Sequence, residues 1–537
     1  MKRIVGLVLV LLAVALAIVL SHAVQKRRAY AEQWALSVFA DLGVGPVHLE
    51  VTDVGPEGAT VRGLEVGDPV TFSVDQLEFT WRPSEIARFE ISELAVTGLH
   101  LKASADENGA LSFGALDPAF ESEGEGDGSL AALPRTVTLA DGHVELATPF
   151  GGVSWQGIAG TLFPDPDRLG TGELRASLRD GASPERFSPV ALDIRAEPSG
   201  TAGVALEVSA RLLEGAVTVS GTGSALPESG TGELDLALAP VAFGPSGVEL
   251  AALAPAFAAR LPIARGSVSG RLQLRTSEHG SEPYTVAGDL HIDDLDLERS
   301  GARLEGLTGR IQVAGPGTWR TRGLQELHFD LLDLVGAVRD GSVRFESRET
   351  DVHLESFRGS WAGGEIVTRG RFDPMNQTGG LAVQLTDIDL EELLETLDIA
   401  ELEATGRISG TVPVVFEGES LQVGAALAAG RDGGVIHWKP AAGAARRLGL
   451  TGDLAVVADA LEDYHYEVLQ VGLEGDLAGD VRMRLSLKGN NPGYDGGRPV
   501  HLDLNVETNV PATLLASQAV SRMPEALERR LRERATR

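Results

Sequence analysis

The feature that most constrains the fold is an alternation of apolar and polar residues, which runs from Val47 to Val510. Successive side chains of a β-strand point to opposite faces, so this period predicts strands with one buried and one solvated face. The alternation is cleanest from Val500 to Glu507, where every even-numbered residue is aliphatic and every odd-numbered residue is polar. The sequence therefore predicts a mainly β chain in which helices are minor.

Chain length and glycine content indicate either several modules or one repetitive elongated body. The chain has 537 residues, 65 of them glycine, and only 5% of its residues are aromatic. Single hydrophobic cores stop growing near ~250–300 residues, and glycine favours tight turns over bulky cores. We expect an elongated, curved antiparallel sheet with short interspersed helices. Its one-sided apolar pattern leaves two arrangements open, because the faces either pair into sandwiches or border an apolar groove.

A hairpin is predicted at Asp141-Gly142. Val137 and Leu139 precede this pair, and Val144 and Leu146 follow it. Asp-Gly between alternating apolar residues is a strong signal for a two-residue hairpin turn. We therefore expect Leu139 to lie opposite Val144.

An internal repeat of 140 residues includes the clearest helical pattern. Leu390, Leu393, Leu394 and Leu397 have the spacing of one helix face, and Leu250, Leu253, Ala254 and Phe257 repeat it. Asp389 is the predicted N-cap, with Glu392 at the capping-box position. The segments Ala264–Gly270 and Ala404–Gly410 extend the match. A module of helix, connector and strand is therefore predicted twice, its helix either closing a groove end or packing on a sheet edge.

The N-terminus predicts a transmembrane anchor. Lys2 and Arg3 precede Ile4 to Leu20, a run of 17 apolar residues, and Lys26 to Arg28 follow shortly after it. At about 1.5 Å per residue, the run is long enough to cross most of a ~30 Å hydrocarbon core. We expect an uncleaved helix that continues to Leu42; a signal peptide cleaved after Ala23 is the alternative. The nearly balanced basic charge leaves the orientation open.

Composition divides the chain into six segments. They are a transmembrane anchor with a juxtamembrane helix (1–43), an N-terminal β module (44–117), an acidic glycine-rich linker (118–133), a middle β-groove region (134–375), a C-terminal β module (376–510) and a basic tail (511–537).

Charge and motif content argue against several function classes. A formal net charge of -31 is unsuited to nucleic acid, and the lack of cysteine excludes disulfides. His437 and His465 are the histidines nearest to a site-like setting, but single strand histidines are usually surface residues. The acidic run from Asp293 to Glu298 lacks the glycine and terminal glutamate of a calcium loop. We expect no catalytic residue, no metal and no cofactor, so the chain is predicted not to be an enzyme.

Several motifs cluster in the last third of the chain. They are Thr386-Asp387-Ile388-Asp389-Leu390, the run Ala404 to Pro413, Gly433-Gly434-Val435-Ile436, Leu461 to Tyr466, Gly489-Asn490-Asn491-Pro492 and Pro499 to Ser517. In combination, over roughly residues 376–520, they resemble the YdbH-like branch of the AsmA-like envelope proteins.

This resemblance implies a function and a location. It implies a single-pass anchor in the bacterial inner membrane, here residues 4–20, with the body in the periplasm. The body would carry phospholipid along a hydrophobic groove toward the outer membrane, with a small outer-membrane lipoprotein as partner near the C-terminus. Two alternatives stay open: a non-transporting structural or assembly factor of the envelope, and a periplasmic transport component for small molecules such as dicarboxylates.

The cleanest alternations supply the candidate binding residues. Their aliphatic half predicts the lining of a lipid groove: Leu381, Val383, Leu385, Val481, Met483, Leu485, Leu487, Val500, Leu502, Leu504 and Val506. The last strand should end near Val510, because Pro511 cannot donate to a central ladder. Its free edge, marked by Asp503, Asn505 and Glu507, is predicted to accept a partner strand. The arginine-rich tail either meets acidic headgroups or is a frayed helix.

Overall fold

The computed structural model describes most of the chain. The described residues are 27–82, 91–106, 111–121, 134–149, 151–165, 168–199, 203–226, 231–260, 262–276, 284–299, 301–315, 320–334, 336–348, 351–373, 376–396, 402–418, 420–430, 432–438, 457, 460–476 and 480–509. The chain forms two compact units, Met1–Pro262 with Ser269–Gly288 and Ile263–Val268 with Asp289–Arg537. The predicted anchor, most of the acidic linker and the basic tail lie outside the described residues.

The first unit is built from strands β1 to β12 and three short helices. The helices are α1 (Arg27–Asp41), α2 (Asp117–Glu121) and α3 (Leu250–Leu253). The strands are β1 (Val47–Val54), β2 (Gly58–Val66), β3 (Phe72–Thr80), β4 (Glu93–Ala105), β5 (Leu111–Ser112), β6 (Thr136–Thr148), β7 (Gly151–Asp165), β8 (Arg168–Asp180), β9 (Val190–Ser199), β10 (Gly203–Leu212), β11 (Val217–Leu226) and β12 (Thr231–Phe243). β1 to β4 pair in sequence, β6 pairs with β4, and β6 to β12 pair in sequence.

Two strands contribute residues to both units, and the second unit continues from them to β28. They are β13 (Ile263–Thr276) and β14 (Tyr284–Arg299). The remaining elements are β15 (Ala302–Gly315), β16 (Arg320–Thr321), β17 (Gln325–Asp333), β18 (Ala337–Arg348), β19 (Asp351–Trp361), β20 (Gly364–Asp373), β21 (Thr378–Asp389), α4 (Leu390–Thr396), β22 (Leu402–Ala404), β23 (Arg407–Glu417), β24 (Ser420–Ala429), β25 (Gly434–Trp438), β26 (Tyr464–Asp476), β27 (Asp480–Asn490) and β28 (Pro499–Asn509).

Neighbouring strands of the second unit are antiparallel. The ladder runs β15, β17, β18, β19, β20, β21, β23, β24, β26, β27, β28. β22 and β25 pair beside it, with β25 on β26. The prediction of a mainly β chain is therefore confirmed.

The N-terminal part of the first unit has a closed core. Helix α1 places Ala31, Ala35 and Phe39 at four-residue spacing on one face, and all three are fully buried. They belong to the same core as Phe72 and Leu77, which are also fully buried. Gly43 ends the helix in the left-handed region (φ 71°), a conformation that glycine adopts without steric cost. This core shows that part of the apolar pattern serves ordinary packing.

The hairpin expected at Asp141-Gly142 is wrong. β6 runs through both residues as one strand, and it pairs in parallel with β4, an exception within the largely antiparallel pairing that was expected. Asp141 has a φ of 53° and lies where the register with β7 shifts. The Asp-Gly pair thus forms a β-bulge within a strand, since the same left-handed conformation serves either feature.

Aspartates form similar bulges in the second unit. Asp340 (φ 48°) and Asp387 (φ 51°) both lie at shifts of register with a neighbouring strand. Aspartate tolerates the left-handed region better than most residues, and a bulge bends its strand and increases the local twist.

The internal repeat is visible in the structure. Ala264 and Ala404 are each 6% exposed, and Gly266 and Gly406 have φ values of 114° and 113°. The first copy has a single helical turn and a 3₁₀ segment, whereas α4 is a continuous helix. The side chain of Asp389 caps α4 by accepting a hydrogen bond from the Glu391 N–H at 3.0 Å.

The predicted capping box pairs the backbone N–H of Asp389 with the side chain of Glu392, but this N–H has a different partner. The N–H of Asp389 donates instead to Ala362 O at 2.9 Å. A backbone contact thus replaces the predicted return bond from the side chain of Glu392. Leu397, the last residue of the predicted apolar stripe, lies outside the described residues.

Candidate apolar binding surface

The predicted lining residues occupy one face of the second unit. On β27 and β28, Leu485 pairs with Leu504 and Leu487 with Leu502. The β21 residues Leu381, Val383 and Leu385 project from the same sheet, four pairings away from β27. We name the aliphatic side of β21, β23, β24, β26, β27 and β28 the C-terminal apolar face.

Burial differs between the two faces of these strands. Val481, Leu487, Leu502 and Leu385 are at most 8% exposed. Leu381, Val383, Met483, Leu485, Val500 and Leu504 are half-buried, whereas Arg482, Arg484 and Lys488 are exposed. The alternation therefore sorts these side chains onto a sheltered and a solvated face. Their role in lining a lipid groove stays a prediction, and the side chain of Val506 lies outside the part of the chain that the structure describes.

One end of the C-terminal apolar face is covered by a compact core. Leu390 from α4, Leu461 and Ile436 pack there against Ile388 and Leu487. Leu393 and Leu394 pack at its periphery, so the helix lies against this core.

Two tyrosines hold this core to the surrounding strands. The Tyr464 hydroxyl donates to Val500 O at 2.5 Å, and the Tyr466 hydroxyl donates to Thr405 O at 2.7 Å. Burial raises the pKa of Tyr464 to about 12, because the phenolate would lose its hydration.

The middle of the same face is only partly covered, although Val383, Val412 and Leu427 contact the edge of this core. Val412, Val383, Leu473, Met483 and Leu427 lie in adjoining rows of the ladder and are all half-buried. In two packed sheets, the side chains of both inner faces interdigitate to form a core. An apolar surface that stays partly accessible marks a place for an apolar ligand or partner.

The first unit has a comparable face beyond its closed core. Across β8, β9 and β10, Leu174 pairs with Ile194 and Ile194 with Val208, and all three are half-buried. Sequence reasoning did not select these residues as lining. The signal was present, because residues 190–212 alternate as cleanly as many strands of the second unit. We name this surface, together with the aliphatic side of β7, β11 and β12, the middle apolar face.

The opposite side of the first unit carries ion pairs across neighbouring strands. Asp193 accepts from Arg211 at 2.5 Å and lies 3.6 Å from Arg175. Exposed pairs of this kind contribute ~0–1 kcal/mol each. These ion pairs make this side of the sheet polar and hydrated rather than providing a binding site.

The predicted docking edge is the outer strand β28. Asp503 accepts a hydrogen bond from Ser486 Oγ at 2.7 Å, and Asn505 Oδ1 accepts from Arg484 at 3.4 Å. Among the described strands, β28 pairs only with β27. The side chain of Glu507 lies outside the described residues, and docking at this edge stays a prediction.

Histidines and acidic residues form no metal centre in the described ranges. His437 and His465 both lie near Asp463 Oδ1, at 3.4 and 3.3 Å, but no cluster with metal-binding geometry occurs there. Asp296, from the acidic run, accepts the backbone N–H of Gly306 at 2.9 Å. Within the described part of the chain, no helix has the length and hydropathy needed to cross a membrane.

The fold and its surfaces define a mainly β protein whose sheets keep apolar faces partly open. The model of the YdbH-like family, described as "Intermembrane phospholipid transport protein YdbH", matches residues 137–532, well over half of the chain. The chain belongs to the YdbH-like family of intermembrane phospholipid transport proteins. No curated protein and no solved structure matches the chain.

Proposed function

We propose that this protein carries phospholipids along the apolar faces of its sheets toward the outer membrane. The observation that carries the proposal is the row of half-buried aliphatic residues around Val383, Leu473 and Met483. An acyl chain that covers such a surface gains about 25 cal/mol per Å² of apolar area removed from water. A polar solute would gain nothing from this surface, which supports lipid over a small dicarboxylate.

The proposal includes a place in the cell. Residues 4–20 anchor the chain in the bacterial inner membrane as a single span, and the body lies in the periplasm. The support is the length of this apolar run together with a family whose described function is transport between membranes.

The proposal also includes a partner. A small outer-membrane lipoprotein adds a strand to the outer edge of β28, near Asp503 and Asn505. The support is the position of β28 as a strand with one described neighbour, because such an edge presents backbone groups for β-augmentation.

Lipid crosslinking in cells tests the transport proposal. Leu485→Arg or Leu504→Arg places a charge on the C-terminal apolar face, and burying a charge beside acyl chains is costly. We expect photo-crosslinking to phospholipid to be abolished while the chain stays membrane-associated.

Gln470→Arg is the matched control for these variants. Gln470 is exposed on the polar side of β26, directly opposite Ser486 of β27. We expect this variant to keep wild-type crosslinking. Undiminished crosslinking in Leu485→Arg and Leu504→Arg would refute the proposed function.

A further inference from the structure

Some glycines, two on the middle apolar face and one in β18, lie directly opposite large side chains of the neighbouring strand. In the ladder, Gly172 pairs with Leu162, Gly221 with Leu236 and Gly341 with Phe329. A Cβ on Gly221 would lie 2.5 Å from Leu236 Cδ2, closer than real contacts permit. A Cβ on Gly172 or Gly341 would likewise collide with the Leu162 methyl or the Phe329 ring. In each pair, the large side chain therefore lies over the glycine.

Backbone conformation does not explain these glycines. None of Gly172, Gly221 and Gly341 has a positive φ, so other residues could adopt the same backbone. Glycine in a strand interior is a disadvantage, because it loses more conformational entropy on folding and packs no side chain. Glycine is therefore explained by the partner side chain, which occupies the space that a Cβ would fill.

Glycines on the polar side of the sheets have different surroundings. For Gly152 in β7, the nearest atom to an added Cβ is Leu146 O at 3.8 Å, and for Gly472 in β26 the nearest atoms are Ala425 O and Arg484 Cβ, both at 3.8 Å. These are ordinary contact distances, so neither glycine is crowded by a neighbouring side chain. Gly172 and Gly221, in contrast, belong to the middle apolar face and are covered by leucine side chains.

A side chain that covers a glycine changes how far the apolar lining projects from the sheet. Side chains in strands usually stand roughly perpendicular to the sheet. A leucine that lies over a glycine projects less, and the two positions together occupy the room of one side chain.

We propose that these glycines are positioning residues that keep the lining of the apolar faces low, so that an acyl chain can lie along the sheet. They act through their partners, since glycine offers space and Leu162, Leu236 or Phe329 occupies it. This inference rests on the proposed function, because it assigns the open apolar faces to lipid. It adds a class of residue that governs passage without contacting a headgroup.

The variant Gly172→Ala tests the proposal in the full chain. The new Cβ meets the far end of a flexible side chain, so Leu162 must rotate away from the sheet toward the lipid path. The purified protein is incubated with a phosphatidylglycerol that carries a photoactivatable group in one acyl chain. We expect the affinity for this lipid, measured from crosslinking at increasing lipid concentration, to fall about fivefold, which is equivalent to about 1 kcal/mol.

A rescue variant separates positioning from a general structural role. Gly172→Ala combined with Leu162→Ala removes the displaced side chain, and we expect wild-type crosslinking to return. Gly152→Ala is the matched control in β7 and is expected to bind lipid as the wild type does. If Gly172→Ala does not fold by thermal unfolding, Gly341→Ala with its rescue Phe329→Ala answers the same question, because the three atoms nearest to an added Cβ on Gly341 all belong to the Phe329 ring.

The outcomes distinguish this inference from the proposed function. Wild-type crosslinking in folded Gly172→Ala, or a loss that the rescue does not reverse, overturns the inference alone. A wild-type chain that does not crosslink to the lipid overturns the proposed function and this inference with it.

Discussion

Asp180 and Arg186 form a shielded ion pair at the turn between β8 and β9. The Arg186 guanidinium donates to Asp180 Oδ1 at 2.6 Å, and the Arg186 backbone N–H donates to Oδ2 at 2.5 Å. The Asp180 side chain is completely shielded from solvent. The hydrogen bonds from Arg186 hold the pKa of Asp180 well below its usual range, although burial opposes this shift.

The pair holds the loop between β8 and β9, which forms hydrogen bonds with α3 and the 3₁₀ segment that follows it. The Ser188 N–H donates to Leu253 O at 3.0 Å, and the Ala256 N–H donates to Glu185 O at 2.8 Å. Asp180→Asn weakens the attachment of this loop, because it leaves Arg186 without its anionic partner. We expect faster hydrogen exchange at the Ser188 and Ala256 amides, with Asp193→Asn, an exposed site, as the control. Unchanged exchange in Asp180→Asn would contradict a role for the pair in holding the loop.

The same pair predicts how stability depends on acid. The folded pKa of Asp180 lies below its unfolded value of about 3.9, so its contribution is fully present above that pH. The contribution is lost as the pH falls toward the folded value. Thermal unfolding followed from pH 6 downward should show a weaker acid dependence, below about pH 4, in Asp180→Asn than in the wild type.

Tyr464 predicts a response to alkali. Its folded pKa of about 12 lies above the unfolded value of about 10, so its contribution is present below pH 10 and is lost as the pH rises through 12. Tyr464→Phe leaves Val500 O without this donor, and we expect a loss of about 1–3 kcal/mol at neutral pH. The alkaline dependence of unfolding should also be shallower than in the wild type. Equal neutral stability of the variant and the wild type would rule out this hydrogen bond as a support of the core.

The closed end and the partly exposed middle of the C-terminal apolar face predict different costs of truncation. Ile388 is fully buried, so Ile388→Ala should cost about 2–5 kcal/mol of unfolding free energy. Leu485 is only half-buried, and Leu485→Ala should cost about half as much, since less apolar area leaves the interior. Denaturant unfolding measures both. Similar costs for the two variants would mean that Leu485 belongs to a dry core.

A photo-crosslinker at Asn505 tests the predicted docking edge. If β28 accepts a partner strand, crosslinking in cells should capture a small envelope lipoprotein at this position. The same probe at Gln470, on the interior strand β26, is the matched control and should capture no such partner. Capture at neither site would identify β28 as a simple end of the sheet.

Mass measurement of the membrane-bound chain tests the anchor. Uncleaved residues 4–20 should leave a chain that retains its N-terminus. An intact mass or N-terminal sequence that begins at Val24 would instead identify a removed signal peptide.

Local chemistry predicted some elements well. The alternation at Val481 to Leu487 predicts strand, because the direction of a side chain in a strand depends only on its place along the chain. The Asp389 cap follows from one side-chain oxygen and one nearby N–H, which are local in sequence. Non-local partners are harder to predict, and Asp389 illustrates this, since its own N–H bonds to Ala362 rather than to Glu392.

The sequence by itself determined that Leu485 and Leu504 share the sheltered side while Arg484 and Asn505 face solvent, because the period of a strand is a property of its covalent geometry. Tertiary structure alone decided that Asp141 forms a bulge in a continuous strand and that β6 pairs in parallel with β4. It also decided that Leu487 is buried while Leu485 is only half-buried. These outcomes depend on which distant segments meet, and the energies of competing pairings differ by too little for a local pattern to choose among them.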